Sequence, residues 1–243
     1  MLDQMIAVAW RVLRQLARDR RFVGLSLLVP LLITYMLNVF FEGVQNPFVH
    51  PREFILPMGA FMVHFITYLL CTVVLVRERT AHTLARMFVN GYTRGSVIGG
   101  YMLAYSLLAT LQTLIVLLAL YVLFKLDYGW QTLLEVYGVT WLLAIISIAL
   151  GILVSNFARN EGQIFPFIPL VTLPSIFFSG LIVPVSSLPD WMGALVYTAP
   201  LYYATEAIRG LTGQKGDVSQ WAGLLIYGAI VFVLATFTLR ERE

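Results

Sequence analysis

The chain has 243 residues, 59% hydrophobic and 12% charged, with a mean hydropathy of +0.82. Soluble domains carry about 25% charged residues, so an ordinary water-soluble fold is excluded. Sixteen Lys and Arg against 13 Asp and Glu leave a net charge of +3, too small for a nucleic-acid partner, and the lone Cys71 excludes an internal disulfide.

Residues 1–21 read as an amphipathic helix. At about 100° per residue, Met5, Ile6, Ala9, Trp10, Val12, Leu13, Leu16 and Ala17 share one arc, with Gln4, Arg11, Arg14, Gln15 and Arg18 opposite. Such a helix lies in the membrane interface, Trp10 at headgroup depth and arginines toward anionic lipid. It serves either as an anchor alone or also as a contact for a cytoplasmic partner. No cleavable signal peptide is read: the first apolar run starts only at Phe22 and lacks a small-x-small site after it.

A helix needs about 20 mostly apolar residues to cross the hydrocarbon core. Six runs qualify: 22–41, 54–76, 96–124, 136–158, 162–183 and 221–239. They are continuous rather than alternating, which selects helices over barrel strands. The expected fold is an all-α integral membrane domain, one unit over 1–243, with six transmembrane helices.

With the N-terminus inside, the cytoplasmic segments carry Arg11, Arg14, Arg18, Arg20, Arg21, Arg77, Arg79, Arg86, Arg94, Arg159, Arg240 and Arg242. The outer segments carry Arg52, Lys125, Arg209 and Lys215, so 12 of the 16 basic residues lie inside. Both termini are expected in the cytoplasm of a multi-pass protein of the cell membrane. Residues 77–94 are expected to form a cytoplasmic segment between the second and third runs.

No run contains Asp, Glu, Lys or Arg, whereas ion-driven carriers need an ionisable or ion-coordinating group near the midplane. His64 is the candidate, and among Phe61, Phe65 and Tyr68 it reads first as a packing residue. His50, His64 and His82 fall on an outer loop, a span and a cytoplasmic loop and cannot share a metal. No HExxH or nucleophile-elbow pattern is present. The stretch from Gly210 to Gly216 lacks P-loop spacing and reads as a turn. The chain is therefore expected to hold no catalytic residue, cofactor or metal, and to draw energy from another subunit.

Ser147, Gly151 and Ser155, and likewise Gly91, Gly95 and Gly99, recur every four residues. Such ridges allow close helix approach, within the chain or at a dimer seam; Gly91 and Gly95 also suit a turn. Over 184–212, Pro184, Pro189 and Pro200 interrupt any long helix. Ser186 or Ser187 is placed to cap a short helix through Trp191, and Pro200 to open another ending at Gly210. This predicts a re-entrant helical hairpin in the outer leaflet, shielded by protein. Glu206 and Arg209, at i and i+3, are expected to pair, as a structural tie or beside substrate, with a charge-swapped double variant recovering what each single loses.

Two segments carry a family resemblance. Arg77-Glu78-Arg79, then His82-Thr83-Leu84-Ala85-Arg86-Met87-Phe88, resembles the segment after the second span of ABC-2 type exporter permeases, with His82, Ala85 and Gly91 where Gly, Glu and Pro are usual. Phe165-Pro166-Phe167 through Leu173-Pro174 and Phe177-Phe178-Ser179-Gly180 to Pro184, Leu188-Pro189 and Trp191 is similar to that family's fifth span and its exit. Ala199-Pro200-Leu201-Tyr202-Tyr203, with Glu206 and Arg209-Gly210, resembles its Asn-Pro-Leu-x-Tyr-x-x-Glu-x-x-Arg-Gly signature, Ala199 replacing Asn.

The resemblance implies a type V exporter-like half-transporter. Arg77, Glu78, His82, Thr83, Leu84, Arg86 and Phe88 would couple it to two ABC ATPase subunits that bind ATP and Mg. A second copy or paralogue of the permease would face it across the second and fifth spans. Phe61, Phe65, Tyr68, Phe165, Phe177 and Phe178 would line the pathway, and Tyr202, Tyr203, Glu206 and Arg209 would build the outer re-entrant segment. An apolar aromatic lining suits a hydrophobic or amphipathic substrate. The rival readings are an ion-coupled carrier or channel, in which His64 matters, and a membrane-embedded enzyme or scaffold.

Overall fold

The computed structural model describes residues 1–43 and 51–238, with backbone alone for 51–53. The expected 42–53 loop, including His50 and Arg52, and the terminal Leu239, Arg240 and Arg242 lie wholly or partly outside the described residues. Among the described residues there is no strand, and nine α-helices follow one another. They are α1 (Leu2–Arg18), α2 (Arg20–Gly43), α3 (Pro51–Thr80), α4 (Thr83–Val89), α5 (Arg94–Leu123), α6 (Trp130–Ser155), α7 (Phe167–Phe178), α8 (Pro200–Leu211) and α9 (Gln220–Thr238).

Among the described residues six stretches are long and apolar enough to cross a membrane: Arg20–Gly43, Phe54–Thr80, Arg94–Leu123, Trp130–Ser155, Glu161–Phe178 and Gln220–Thr238. α2 packs inside-out relative to a helix of a soluble bundle. α2 buries Ser26, Pro30, Thr34 and Asn38, one turn apart, and exposes Leu25, Leu28, Leu32, Tyr35, Met36 and Phe40. Water would reverse that arrangement. Lipid tails are as apolar as leucine, so small and polar residues gather at helix contacts instead.

α3 and α6 form the buried centre, with α5, α8 and α9 packed around them. They approach closely at Gly151, where a Cβ would lie 2.9 Å from the Tyr68 carbonyl oxygen and 2.9 Å from Cys71 Cβ. α1 lays Val8, Ala9, Val12 and Leu16 on α5. There a Cβ on Gly100 would come within 2.8 Å of the Met5 carbonyl oxygen, and one on Gly99 within 2.6 Å of Met5 Sδ. Both small-residue ridges thus serve contacts inside the chain, except that Gly91, at φ +80°, closes the turn after α4.

Several expected boundaries move. α3 runs one turn beyond Val76, so Arg77, Glu78 and Arg79 stand on a helix rather than a loop. α6 starts at Trp130 and stops at Ser155, before the expected 158. The fifth span is the largest departure. A 3-10 turn at Glu161–Ile164 precedes a 12-residue α7 that ends at Phe178 rather than 183. Gly180, at φ +74°, turns the chain, and the Ser179 hydroxyl accepts from the Leu181 N–H at 3.2 Å. The expected helix through Trp191 is replaced by three 3-10 turns, Val185–Ser187, Asp190–Met192 and Leu195–Thr198. Prolines spaced through this stretch allow single turns and no longer helix.

Candidate coupling surface and transmembrane seam

Three consecutive side chains at the end of α3 tie together the arginine-rich end of the bundle. Arg77 meets Glu161 at 3.2 Å, joining α3 to the turn before α7; both side chains are about half exposed. Glu78 is buried and accepts from Arg11 of α1 at 3.1 Å. The same guanidinium donates to the Tyr101 hydroxyl of α5 at 2.6 Å. Arg79 donates to the Ser155 carbonyl oxygen and, at 2.8 Å, to Asn156 Oδ1, closing the C-terminus of α6. Asn156 in turn donates to the Ala235 carbonyl of α9 at 3.3 Å and to Thr238 Oγ1 at 2.9 Å. A helix C-terminus leaves carbonyls unpaired, and a cation there satisfies them and the helix dipole together.

α4 sits on this platform. His82 precedes it in the left-handed region at φ 55°. Leu84 and Met87 are buried, whereas Arg86 is exposed and donates back to the Ala81 carbonyl at 2.9 Å. Thr83 and Phe88 are half-buried, and Val89 is 88% exposed. Gln4 of α1 holds the far side of the turn, donating to the Gly91 carbonyl at 3.1 Å and accepting from the Thr93 N–H at 3.4 Å. Between α1 and α4 runs a groove of about 650 Å³ lined by Ala7, Val8, Arg11, Thr83, Arg86, Met87, Asn90 and Tyr92.

The residues named for coupling therefore separate into two groups. His82 and Arg86 are exposed, Thr83 borders the groove, and Arg77 is half exposed in its pair with Glu161. Glu78 and Leu84 are buried and Phe88 packs half-buried against the core, so these three act as supports. Arg11 and Tyr101, the partners of Glu78, were not expected from the sequence. No sequence signal singled out Arg11, which lies in the middle of the polar arc of α1.

The aromatics named for a pathway also separate. Phe61 and Phe65 stack with ring centres 6.1 Å apart. Phe165 is 70% and Phe177 49% exposed, and Phe178 is half-buried. Tyr68 is buried between helices, its hydroxyl donating to the Phe167 carbonyl of α7 at 3.1 Å. It seals the α3–α7 seam and offers no free surface.

At the opposite end, α8 buries Leu201, Ala204, Thr205, Ala207 and Ile208 against α3, α6 and α9. Tyr202 and Tyr203 join Tyr197 and Tyr227 in an aromatic cluster with centroids 5.4–6.4 Å apart. Arg209 stands 3.5 Å from Glu206 and also donates to the Gly180 carbonyl at 2.8 Å. Burial pushes the Glu206 carboxyl above the usual range, and Arg209 opposes that rise.

The second Arg209 bond changes the expected outcome of a charge swap. A glutamate at position 209 would set a carboxylate against the Gly180 carbonyl, so the swapped pair is not expected to recover. Arg209→Lys keeps the charge and loses the fork that reaches two acceptors. Its expected cost is about 1 kcal/mol, measured by thermal unfolding in detergent, with Arg209→Met costing more.

Among the described residues no three His, Cys, Asp or Glu side chains converge as metal ligands would. Among the described residues, six apolar stretches long enough to cross a membrane, tied at one end by a charged clamp, define a multi-pass α-helical membrane protein. Comparison with known proteins places it more closely. The model of the ABC-2 type transporter family matches residues 3–212, and the chain belongs to that family as a permease-type membrane subunit.

Among its relatives, a probable doxorubicin resistance ABC transporter permease from Mycobacterium tuberculosis is 27% identical over 236 residues, covering 94% of this chain and 84% of that protein. A probable multidrug ABC transporter permease from Escherichia coli is 24% identical over 168 residues, covering 68% and 44%. A linearmycin resistance permease from Bacillus subtilis is 23% identical over 160 residues, covering 64% and 41%.

Proposed function

We propose that this chain is the membrane half of an exporter that moves a hydrophobic or amphipathic compound outward across the cell membrane. Two separate ABC ATPase subunits supply the energy, binding and hydrolysing ATP with Mg. The observation that carries the reading is the short helix α4, exposed at Arg86 and Val89, with Thr83 half-buried at the groove, and braced through Leu84 and Met87 on the clamped ends of α1 and α3. A surface that must receive a push has to be accessible on one side and rigidly supported on the other. The groove beside it gives the ATPase a place to seat.

In this reading both termini and α4 are cytoplasmic. α1 lies in the interface with Leu2, Ile6 and Trp10, each more than half exposed, toward lipid. Arg14 stacks over Trp10 at 5.0 Å, its guanidinium at headgroup level. The 3-10 turns and α8 form the outer re-entrant segment. α7, with Leu170, Leu173 and Phe177 exposed, faces a second copy or a paralogue, and the pathway runs between them. Drug resistance in the names of two relatives, and a multidrug permease in that of a third, support an amphipathic substrate.

The test joins binding to transport. In a Cys71→Ala background, single cysteines at Thr83 and Arg86 should cross-link to the neighbouring ATPase, and the complex in nanodiscs should hydrolyse ATP faster when substrate is added. No cross-link at either position, together with solute movement by the lone chain in liposomes, would overturn the reading in favour of an ion-coupled carrier.

A further inference from the structure

α7 is the least embedded of the six spans, and its single buried residue is Ser175, a polar one. α7 is tied to α3 by three polar contacts at successive depths. Arg77 meets Glu161 below it, Tyr68 donates to the Phe167 carbonyl at its start, and His64 meets Ser175 near its far end.

His64 is buried between two serines. Its Nδ1 lies 2.7 Å from Ser147 Oγ on α6 and its Nε2 lies 3.4 Å from Ser175 Oγ on α7. Each serine hydroxyl also donates to its own helix, Ser147 to Leu143 at 2.6 Å and Ser175 to Val171 at 2.7 Å. A neutral imidazole has one N–H and one lone pair. If the N–H takes the short contact to Ser147, the remaining nitrogen accepts. Ser175 can satisfy that acceptor only by turning its single proton away from Val171. The Ser175 hydroxyl thus has two alternative partners, one on its own helix and one on α3. Three residues earlier on α7, Thr172 Oγ1 is buried with no partner, a second polar group of this helix left open. Gly151, one turn on from Ser147, holds α6 close against α3, so the short Ser147 contact stays within that pair.

We propose that His64 is a positioning residue for transport, holding α7 to the α3–α6 pair through Ser175 and releasing it when the pathway opens. The proposal rests on the exporter reading for its functional consequence, and the α3–α7 geometry can be tested without it. α3 and α6 move as one body, while α7 exchanges its mid-membrane tie for the Val171 carbonyl. The Ser175 hydroxyl keeps an acceptor in either position, and this lowers the cost of breaking the contact inside lipid.

The experiment places spin labels at Gln131 and Leu173, both exposed, in a Cys71→Ala background, with labelled chain diluted in unlabelled chain in nanodiscs. Ser175→Ala should enrich a longer α6–α7 distance roughly three- to fivefold without ATPase, the effect of losing one net hydrogen bond in a bilayer. His64→Leu should do the same or more, and His64→Gln, which keeps a donor and an acceptor, should stay near wild type. With the ATPase present, transport per ATP should fall by a similar roughly three- to fivefold factor in the first two and recover in the third, while the KM for ATP stays unchanged.

Wild-type distances and wild-type transport per ATP in both Ser175→Ala and His64→Leu would overturn the proposal. A His64→Gln variant as impaired as His64→Leu would overturn its hydrogen-bond basis. If the unsubstituted chain shows no ATP-driven transport, the exporter reading fails, and the distance measurement still decides whether His64 holds α7.

Discussion

Arg11→Ala is expected to destabilise the chain by about 2 kcal/mol, against about 1 kcal/mol or less for Glu78→Gln. The asymmetry follows from burial. The Glu78 side chain is 6% exposed, so removing Arg11 strands a carboxylate away from water. The Arg11 side chain is 36% exposed, so the guanidinium turns to solvent when Glu78 is neutralised, and its share of the pair is discounted for screening. Glutamine also keeps an acceptor for Arg11 Nη2. The double variant should be less destabilised than the sum of the singles, because the stranded charge disappears with its partner. Thermal unfolding in detergent measures all three. Additive effects would mean that the pair contributes no coupling.

The functional consequence should exceed the stability cost. Glu78 is the point at which α1, α3 and α5 meet beneath α4, so loosening it lets α4 move without moving the spans. In the proposed exporter, Arg11→Ala should leave ATP hydrolysis running while transport per ATP falls.

The spans were legible because lipid imposes a simple rule: a crossing helix must be long, apolar and free of charge. The clamp was not legible, because its members lie at positions 11, 78 and 101 and only packing brings them together. Arg77, Glu78 and Arg79 looked like one cytoplasmic segment with one role. On a helix, consecutive residues point about 100° apart, and these three reach the turn before α7, then α1 with α5, then α6. Hydropathy could not reveal that α7 stops at Phe178, since the run stays apolar to Pro184 and Gly180 sets the break. His64 read as a packing residue, and it is packed; its two serine partners sit 83 and 111 residues away. Gly151 stood out by its spacing, whereas Gly100 fell outside the four-residue ridge that pointed to Gly99.

Gly151→Leu is expected to abolish the folded chain, and Gly151→Ala to destabilise it by about 1–3 kcal/mol. The close approach at this position is to backbone. A Cβ would meet the Tyr68 carbonyl oxygen at 2.9 Å and the Thr72 N–H nitrogen at 3.1 Å, atoms that a rotamer change cannot move. Cys71→Gly would remove the third neighbour, Cys71 Cβ, and should rescue Gly151→Ala only in part. Separation of α3 from α6 would also stretch the 2.7 Å contact of His64 with Ser147, one turn away. The damage should therefore reach α7 as well as the seam itself. Gly24→Ala is the control: it sits in α2 with no atom within 4 Å of the added Cβ and should be neutral or slightly stabilising. Fluorescence-detected size exclusion after a heating series separates these outcomes. Equal melting of Gly151→Ala and Gly24→Ala would show that α3 and α6 have room to part.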